Sequence, residues 1–269
     1  MREIFQRKGA VGAFNVIQIE HAEALTQASL IANLPIILQI SQNAVLYHGS
    51  LKPISIATRA IIEESGANAF LHLDHAEDTE LVRAAIDLGF DSVMYDGSKL
   101  DFAANVKSSS EMAELAHKNN ALIELELGEV GGKDGVHAAG ARTNPAEAEK
   151  FIEETNADLL AVAVGSSHAM TTRDAKLDFG LIKDLAAAVP VPLVLHGSSG
   201  VSDPDIQEAI RAGMRKVNIA THLNNVFTAA VRETLTADTK LVDTRKYIKP
   251  AREAVTVETA RLLKVLDLQ

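Results

Sequence analysis

Eight short apolar runs, each followed by a longer stretch of helical period, constrain the fold of this 269-residue chain more than any single motif does. The runs are predicted as strands at roughly 10–16, 35–41, 69–75, 92–97, 122–128, 159–165, 193–197 and 216–221. Helical patterns begin near Glu20, Pro53, Thr79, Phe102, Pro145, Phe179, Pro204 and His222, and a further C-terminal helix is expected from about Pro250. Several boundaries carry their own stop signals. In SDPDIQEAIRAG, Ser202 or Asp203 suits an N-cap, Pro204 the first turn and Gly213 the residue past the end. ESGA at 64–67 and DLGF at 87–90 repeat the trailing glycine. Repeated strand, helix and glycine imply βα units with parallel strands. Eight such units predict an α/β protein of the closed (β/α)8, or TIM, barrel class, which typically takes about 250 residues and builds its site at the carboxyl ends of the strands. No GxGxxG follows the first run, as a doubly wound sheet would favour. With no low-complexity tract or linker, the whole chain, 1–269, reads as one domain with an extra C-terminal helix.

Composition removes several functions. A formal net charge of −10 opposes a nucleic-acid partner, which needs a basic face. No apolar run reaches the ~18 residues of a membrane helix, and MREIFQRKGA lacks a signal-peptide core, so a soluble, cytoplasmic protein is expected. Without cysteine, thiolate metal sites and disulfides are excluded, and any metal must use histidine and carboxylate.

Polar residues gather where the predicted strands stop. His75, His168 and His196 end FLHLDH, LLAVAVGSSH and PLVLH. Neutral imidazole is a common zinc ligand, and three protein ligands with an open fourth position describe a catalytic site. Asp74 precedes His75; successive strand side chains point to opposite faces unless the strand turns there, and at such an end both could face the mouth. Asp74 then serves as an acid/base or as a carboxylate orienting a histidine. Asp96 in MYDGS and Glu126 in ELELG suit alternate metal ligands, histidine partners or plain rim carboxylates. Asn15, Ser41 and Asn218 sit at equivalent strand ends, as substrate contacts or as caps of the barrel rim.

Two glycine-bearing stretches complete the pattern. HGSSG at 196–200 and VNIAT at 217–221 close the seventh and eighth runs, where barrels often hold phosphate on loop amides and a helix start. GEVGGKDGVHAAGARTNP, 128–145, far exceeds a typical βα connection and carries Asp134 and His137 as proton carriers. The Schiff-base alternative wants a lysine desolvated inside the barrel. Lys216 is expected before its strand, at the opposite end.

At these residues the chain resembles the class II, zinc-dependent ketose-bisphosphate aldolases. GAFNV, HLDH, ELGEVGG, VAVGSSH, PLVLHGSSG, KVNIAT and YIKPAREA occur in the family's order across nearly the whole chain. The resemblance implies Zn2+ on His75, His168 and His196, a secondary metal position near Glu126 and Asp96, and Asp74 as the residue handling the hydroxyl proton. It places Asn15 and Ser41 on the ketose and Gly197, Ser199, Asn218 and Thr221 on the phosphate-bearing ketone, with a monovalent cation nearby. Lys133 and Asp134 follow Gly131 and Gly132 where members often carry paired acids, so Asp134 replaces the usual glutamate base. Arg173 stands in for a lysine usually found after the second histidine, and Ala220 looks more like the tagatose-bisphosphate branch. The implied activity is reversible cleavage of a ketose 1,6-bisphosphate, a step of carbohydrate metabolism such as glycolysis, by a homodimer or homotetramer. A different ketose phosphate, a non-catalytic sugar-phosphate-binding subunit and a zinc hydrolase are the alternatives.

Overall fold

A computed structural model describes residues 1–128, 142–167, 172–173 and 175–268. Eight parallel strands close into a barrel in sequence order. They are β1 (Val11–Asn15), β2 (Ile36–Ser41), β3 (Ala69–Ala76), β4 (Ser92–Tyr95), β5 (Leu122–Leu127), β6 (Leu159–Val162), β7 (Leu193–Leu195) and β8 (Met214–Ile219). The outer ring comprises α1 (Ile19–Ala32), α2 (Gln42–His48), α3 (Lys52–Ser65), α4 (Thr79–Asp87), α5 (Phe102–Lys118), α6 (Pro145–Thr155), α7 (Phe179–Ala188), α8 (Asp203–Ala212), α9 (Thr221–Ala237) and α10 (Thr244–Leu266).

The expected (β/α)8 barrel is therefore the observed fold, and all eight predicted runs are strands. Two helical readings need correction. Helix α2 was not expected: its seven residues are too few for a clear period, and Ser41, read as a strand end, is its N-cap, accepting from the Ala44 amide at 3.2 Å. Helix α10 starts at Thr244, not near Pro250. The start is capped by Asp243, and Pro250 lies inside the helix as its seventh residue, where it removes one i→i−4 hydrogen bond.

Two apolar layers hold the fold. One fills the space between strands and helices; the other lies inside the barrel, where Val11, Ala13, Ile37, Met94, Leu122, Leu159, Ala161 and Val194 meet Ile4 and Phe5 of the N-terminal 3₁₀ turn Arg2–Gln6. Helix α10 joins this end to the ring, since the Ala10 amide donates to the Leu266 carbonyl at 2.9 Å. Gly12 makes that approach feasible: a Cβ there would fall 2.5 Å from the Phe14 ring and 2.8 Å from Leu266. Among the described residues no helix is long and apolar enough to cross a membrane.

Candidate active site and metal centre

Strand alternation turns every second side chain into the barrel, and toward the carboxyl ends these inward positions change from apolar to polar. Val11 and Ala13 lead to Asn15, Ile37 to Gln39 and Ser41, Phe70 to His72 and Asp74, Leu122 to Glu124 and Glu126, and Val194 to His196. The mouth is thus lined by Asn15, Asp74, Asp96, Glu126, His196 and Asn218, above a second polar row of Gln39, His72, Glu124 and Lys216.

Simple alternation would turn His75 away from the mouth, since Asp74 already faces it. A bulge resolves this. Between Leu73↔Val93 and Ala76↔Tyr95, three steps on β3 match two on β4. His75 takes a left-handed backbone (φ 48°), and its amide donates to Met94 Sδ at 3.4 Å. Both Asp74 and His75 then reach the site.

Neighbouring carboxylates decide which nitrogen of each imidazole carries the proton. His75 Nδ1 lies 3.2 Å from Asp96 Oδ2 and 3.8 Å from Glu126, while His196 Nε2 lies 2.7 Å from Glu124 Oε1. An ionised carboxylate only accepts, so each of these nitrogens bears hydrogen. The other nitrogens, His75 Nε2 and His196 Nδ1, face each other at 2.8 Å with their lone pairs converging. Asn218 Nδ2 lies 3.2 Å from His196 Nδ1, and lone pairs at this spacing suit a cation or a hydrogen-bond donor. Asp74, His75 and His196 offer ligand atoms mutually within 4.8 Å, and so do His75, Asp96 and Glu126. Oxygen and imidazole donors at this spacing fit a borderline divalent ion of the zinc type. His168, expected as the third imidazole, and Asp134, expected as the loop base, lie outside the described residues, as does His137.

Asp74 is buried (3% exposed) and held by two amides, Asn218 Nδ2 to Oδ1 at 3.2 Å and Asn15 Nδ2 to Oδ2 at 3.4 Å. Asn15 is fixed in turn by Gln39 Nε2 at 2.8 Å. Among the described residues, Gln39 Oε1 and Asn218 Oδ1 are buried acceptors that meet no donor. Unfilled acceptors of this kind cost free energy unless a bound hydroxyl or water supplies the hydrogen.

Across the mouth, Gly197–Gly200 forms a tight turn beside the start of α9. Ser199 Oγ accepts from the amides of Ala220 and His222 at 3.3 and 3.2 Å, and Ser198 Oγ donates to the Asn218 carbonyl. Thr221 opens α9, whose N-cap residue Ala220 offers no side-chain cap, and the His222 amide of the first turn is taken by Ser199 Oγ. Gly197 has φ 66°, and a Cβ there would lie 2.6 Å from the Ser167 carbonyl carbon. Gly197→Ala is therefore expected to destabilise the protein by about 1–3 kcal/mol, read as a lower denaturant midpoint at constant slope. Arg173 lies beside this turn but is engaged, donating from Nε to the Val201 carbonyl at 2.8 Å and from Nη2 to Asp203 at 2.6 Å. Burial would raise the Asp203 carboxyl, but hydrogen bonds from Arg261 and Arg173 outweigh it and hold the group below its usual range. Glu258 of α10 behaves likewise: burial opposes its charge, while Arg261 and His222 hold it at about 2.

Lys216 corrects the sequence reading. It lies within β8, not before it, and it is buried inside the barrel (1% exposed). The strand begins two residues earlier than its apolar pattern indicates, so Lys216 joins the row one step below Asn218. Its ammonium is 2.6 Å from Glu124 Oε2. A lysine nucleophile must lose its proton and reach the substrate; this one is clamped to a carboxylate beneath the histidines. Glu124, Gln39, His72 and Lys216 escaped the sequence reading as site residues. Their signal was the two-residue period, since each stands two positions before a rim residue on the same strand.

Comparison with known proteins agrees with this geometry. The family described as class II fructose-bisphosphate aldolase matches residues 1–269. The fructose-bisphosphate aldolase of Geobacillus stearothermophilus is 37% identical over 259 residues, covering 95% of this chain and 90% of that protein. That of Staphylococcus epidermidis RP62A is 38% identical over 250 residues, covering 91% and 87%. The crystal structure of the YdjI aldolase from Escherichia coli K12 superposes with a TM-score of 0.86 at 29% identity, covering 98% of this chain and 93% of that one. A closed barrel, converging imidazoles ringed by carboxylates and a match along the full sequence lead to one conclusion: the chain belongs to the class II fructose-bisphosphate aldolase family of metal-dependent lyases.

Proposed function

We propose that the protein is a zinc-dependent aldolase that reversibly cleaves a ketose 1,6-bisphosphate, fructose or tagatose, to dihydroxyacetone phosphate and glyceraldehyde 3-phosphate. The observation that carries this reading is the 2.8 Å approach of His75 Nε2 and His196 Nδ1, each with its other nitrogen against a carboxylate. His75 and His196, with His168 by family resemblance, hold the ion; Asp96 and Glu126 share His75 as a second position. Zinc, when bound, supplies Lewis-acid stabilisation of the negative charge that develops on the ketone as the bond breaks.

The remaining steps fall to side chains. Asp74 removes the proton from the hydroxyl on the carbon that becomes the aldehyde, and the carbon–carbon bond breaks as that carbonyl forms. The released electron pair moves into the ketone to give an enediolate, and Asp134 exchanges the proton at its carbon. Asn15 and Ser41 contact the ketose. The acceptors Gln39 Oε1 and Asn218 Oδ1 suit a substrate rich in hydroxyls. Gly197, Ser199, Asn218 and Thr221 bind the phosphate-bearing ketone, with a monovalent cation beside them, and Arg173 contributes the cationic side chain. Relatives named for fructose bisphosphate favour that sugar. A homodimer or homotetramer belongs to the same reading.

A coupled assay for triose phosphate release tests it. Chelator is expected to abolish turnover of fructose or tagatose 1,6-bisphosphate, and added zinc to restore it. Chelator-resistant cleavage, with borohydride trapping substrate on Lys216, would establish the Schiff-base route instead.

A further inference from the structure

Beneath the imidazoles lies a buried chain of polar groups with no direct access to substrate. Glu124 is wholly buried and uses one oxygen for each of two donors, His196 Nε2 at 2.7 Å and Lys216 Nζ at 2.6 Å. Lys216 Nζ also lies 3.3 Å from His72 Nε2, and His72 Nδ1 lies 2.7 Å from Ser92 Oγ. An ammonium only donates, so His72 Nε2 accepts and its Nδ1–H points to Ser92. Every partner in the chain is thereby assigned a direction of donation.

The direction matters at His196. With the proton on Nε2, Nδ1 offers a lone pair toward the mouth. With the proton on Nδ1, the ring would donate to His75 Nε2 across 2.8 Å, and the two imidazoles would satisfy each other and close the metal position. Without an acceptor below His196, the second arrangement gains a hydrogen bond to His75, while the first opposes the two lone pairs and leaves His196 Nδ1 only the Asn218 amide, 3.2 Å away, as a donor.

We propose that Glu124 and Lys216 are positioning residues that hold His196 in the Nε2–H tautomer and so keep the site open to metal. Glu124 supplies the acceptor, and Lys216 holds its second oxygen so that the first stays aimed at His196. The pair carries no net charge, which allows it to remain wholly buried. This inference rests on the metal reading above, and the experiment separates their failures.

Zinc affinity is measured by competition with a chromogenic chelator, and the His196 tautomer by nitrogen-15 NMR of the metal-free protein labelled in histidine. In Glu124→Gln, Lys216 retains the amide oxygen and the NH2 group faces His196 Nε2, reversing the direction of donation. Affinity is expected to fall 10- to 100-fold, within the usual range for the loss of a residue behind a metal ligand, and the proton to move to Nδ1. In the double variant Glu124→Gln/Lys216→Met the amide oxygen is released to turn toward His196, so the wild-type tautomer and most of the affinity return. A purely structural role would give no such rescue. Unchanged affinity and tautomer in Glu124→Gln would overturn the proposal. Should that variant not fold, an Nδ1–H signal for His196 in the metal-free wild type would overturn it equally, and an Nε2–H signal would support it. A wild type that takes up no zinc while showing His196 as Nε2–H would instead sink the metal reading and leave the tautomer assignment standing.

Discussion

Asp74→Ala is expected to retain zinc at the wild-type stoichiometry while cleaving ketose bisphosphate about 10²- to 10⁴-fold more slowly, the range for loss of a positioned general base. The carboxylate is buried beside both imidazoles, and Asn15 and Asn218 fix both its oxygens. Alanine removes the group that takes the hydroxyl proton and leaves those amides facing a gap that water can fill. The ring nitrogens of His75 and His196 keep their carboxylate partners, so metal uptake does not depend on Asp74. Zinc content and steady-state rate, measured on one preparation, test the assignment. Loss of zinc together with activity would make Asp74 a ligand, a role its grouping with His75 and His196 allows. Full activity would remove it from the reaction.

His196→Ala is expected to have the larger effect. Bound zinc should fall to background in elemental analysis, and cleavage by at least about three orders of magnitude, since the loss of even one preorganised charge-stabilising group costs 10²–10³. The variant also takes a partner from buried Glu124, whose Oε1 then meets no imidazole. Leaving a buried polar group unsatisfied costs about 1–3 kcal/mol, so a lower melting temperature should accompany the loss of metal. The two variants thus separate ion binding from proton transfer. Retained zinc in His196→Ala would place the ion elsewhere, and His75 with Asp96 and Glu126 is the remaining described group that could hold it.

Much of this architecture follows from local pattern. Strand alternation and helical period fix eight βα units, and closure of those units fixes which ends of the strands meet. Asp74, His75, His196, Asp96 and Glu126 are therefore legible in the sequence as one rim, because each stands at the end of an apolar run. Local pattern fails where a short element or a strained residue is decided by contacts distant in the chain. Helix α2 is one case. The bulge that turns His75 inward is another, since a positive φ at histidine costs energy that neighbouring strands must offset.

The sharpest contrast is between the rim and the row beneath it. Periodicity identified the fold, because apolar spacing reflects burial and burial is written residue by residue along each strand, while the resemblance of the motifs implied the family and the absence of cysteine limited the metal donors to imidazole and carboxylate. It could not pair Glu124 with Lys216, 92 residues away, or give His196 its tautomer from a carboxylate 72 residues distant. Those choices depend on strand register and barrel shear, which bring β5, β7 and β8 side chains to one level inside a dry core. There a hydrogen bond made or missed outweighs any local preference.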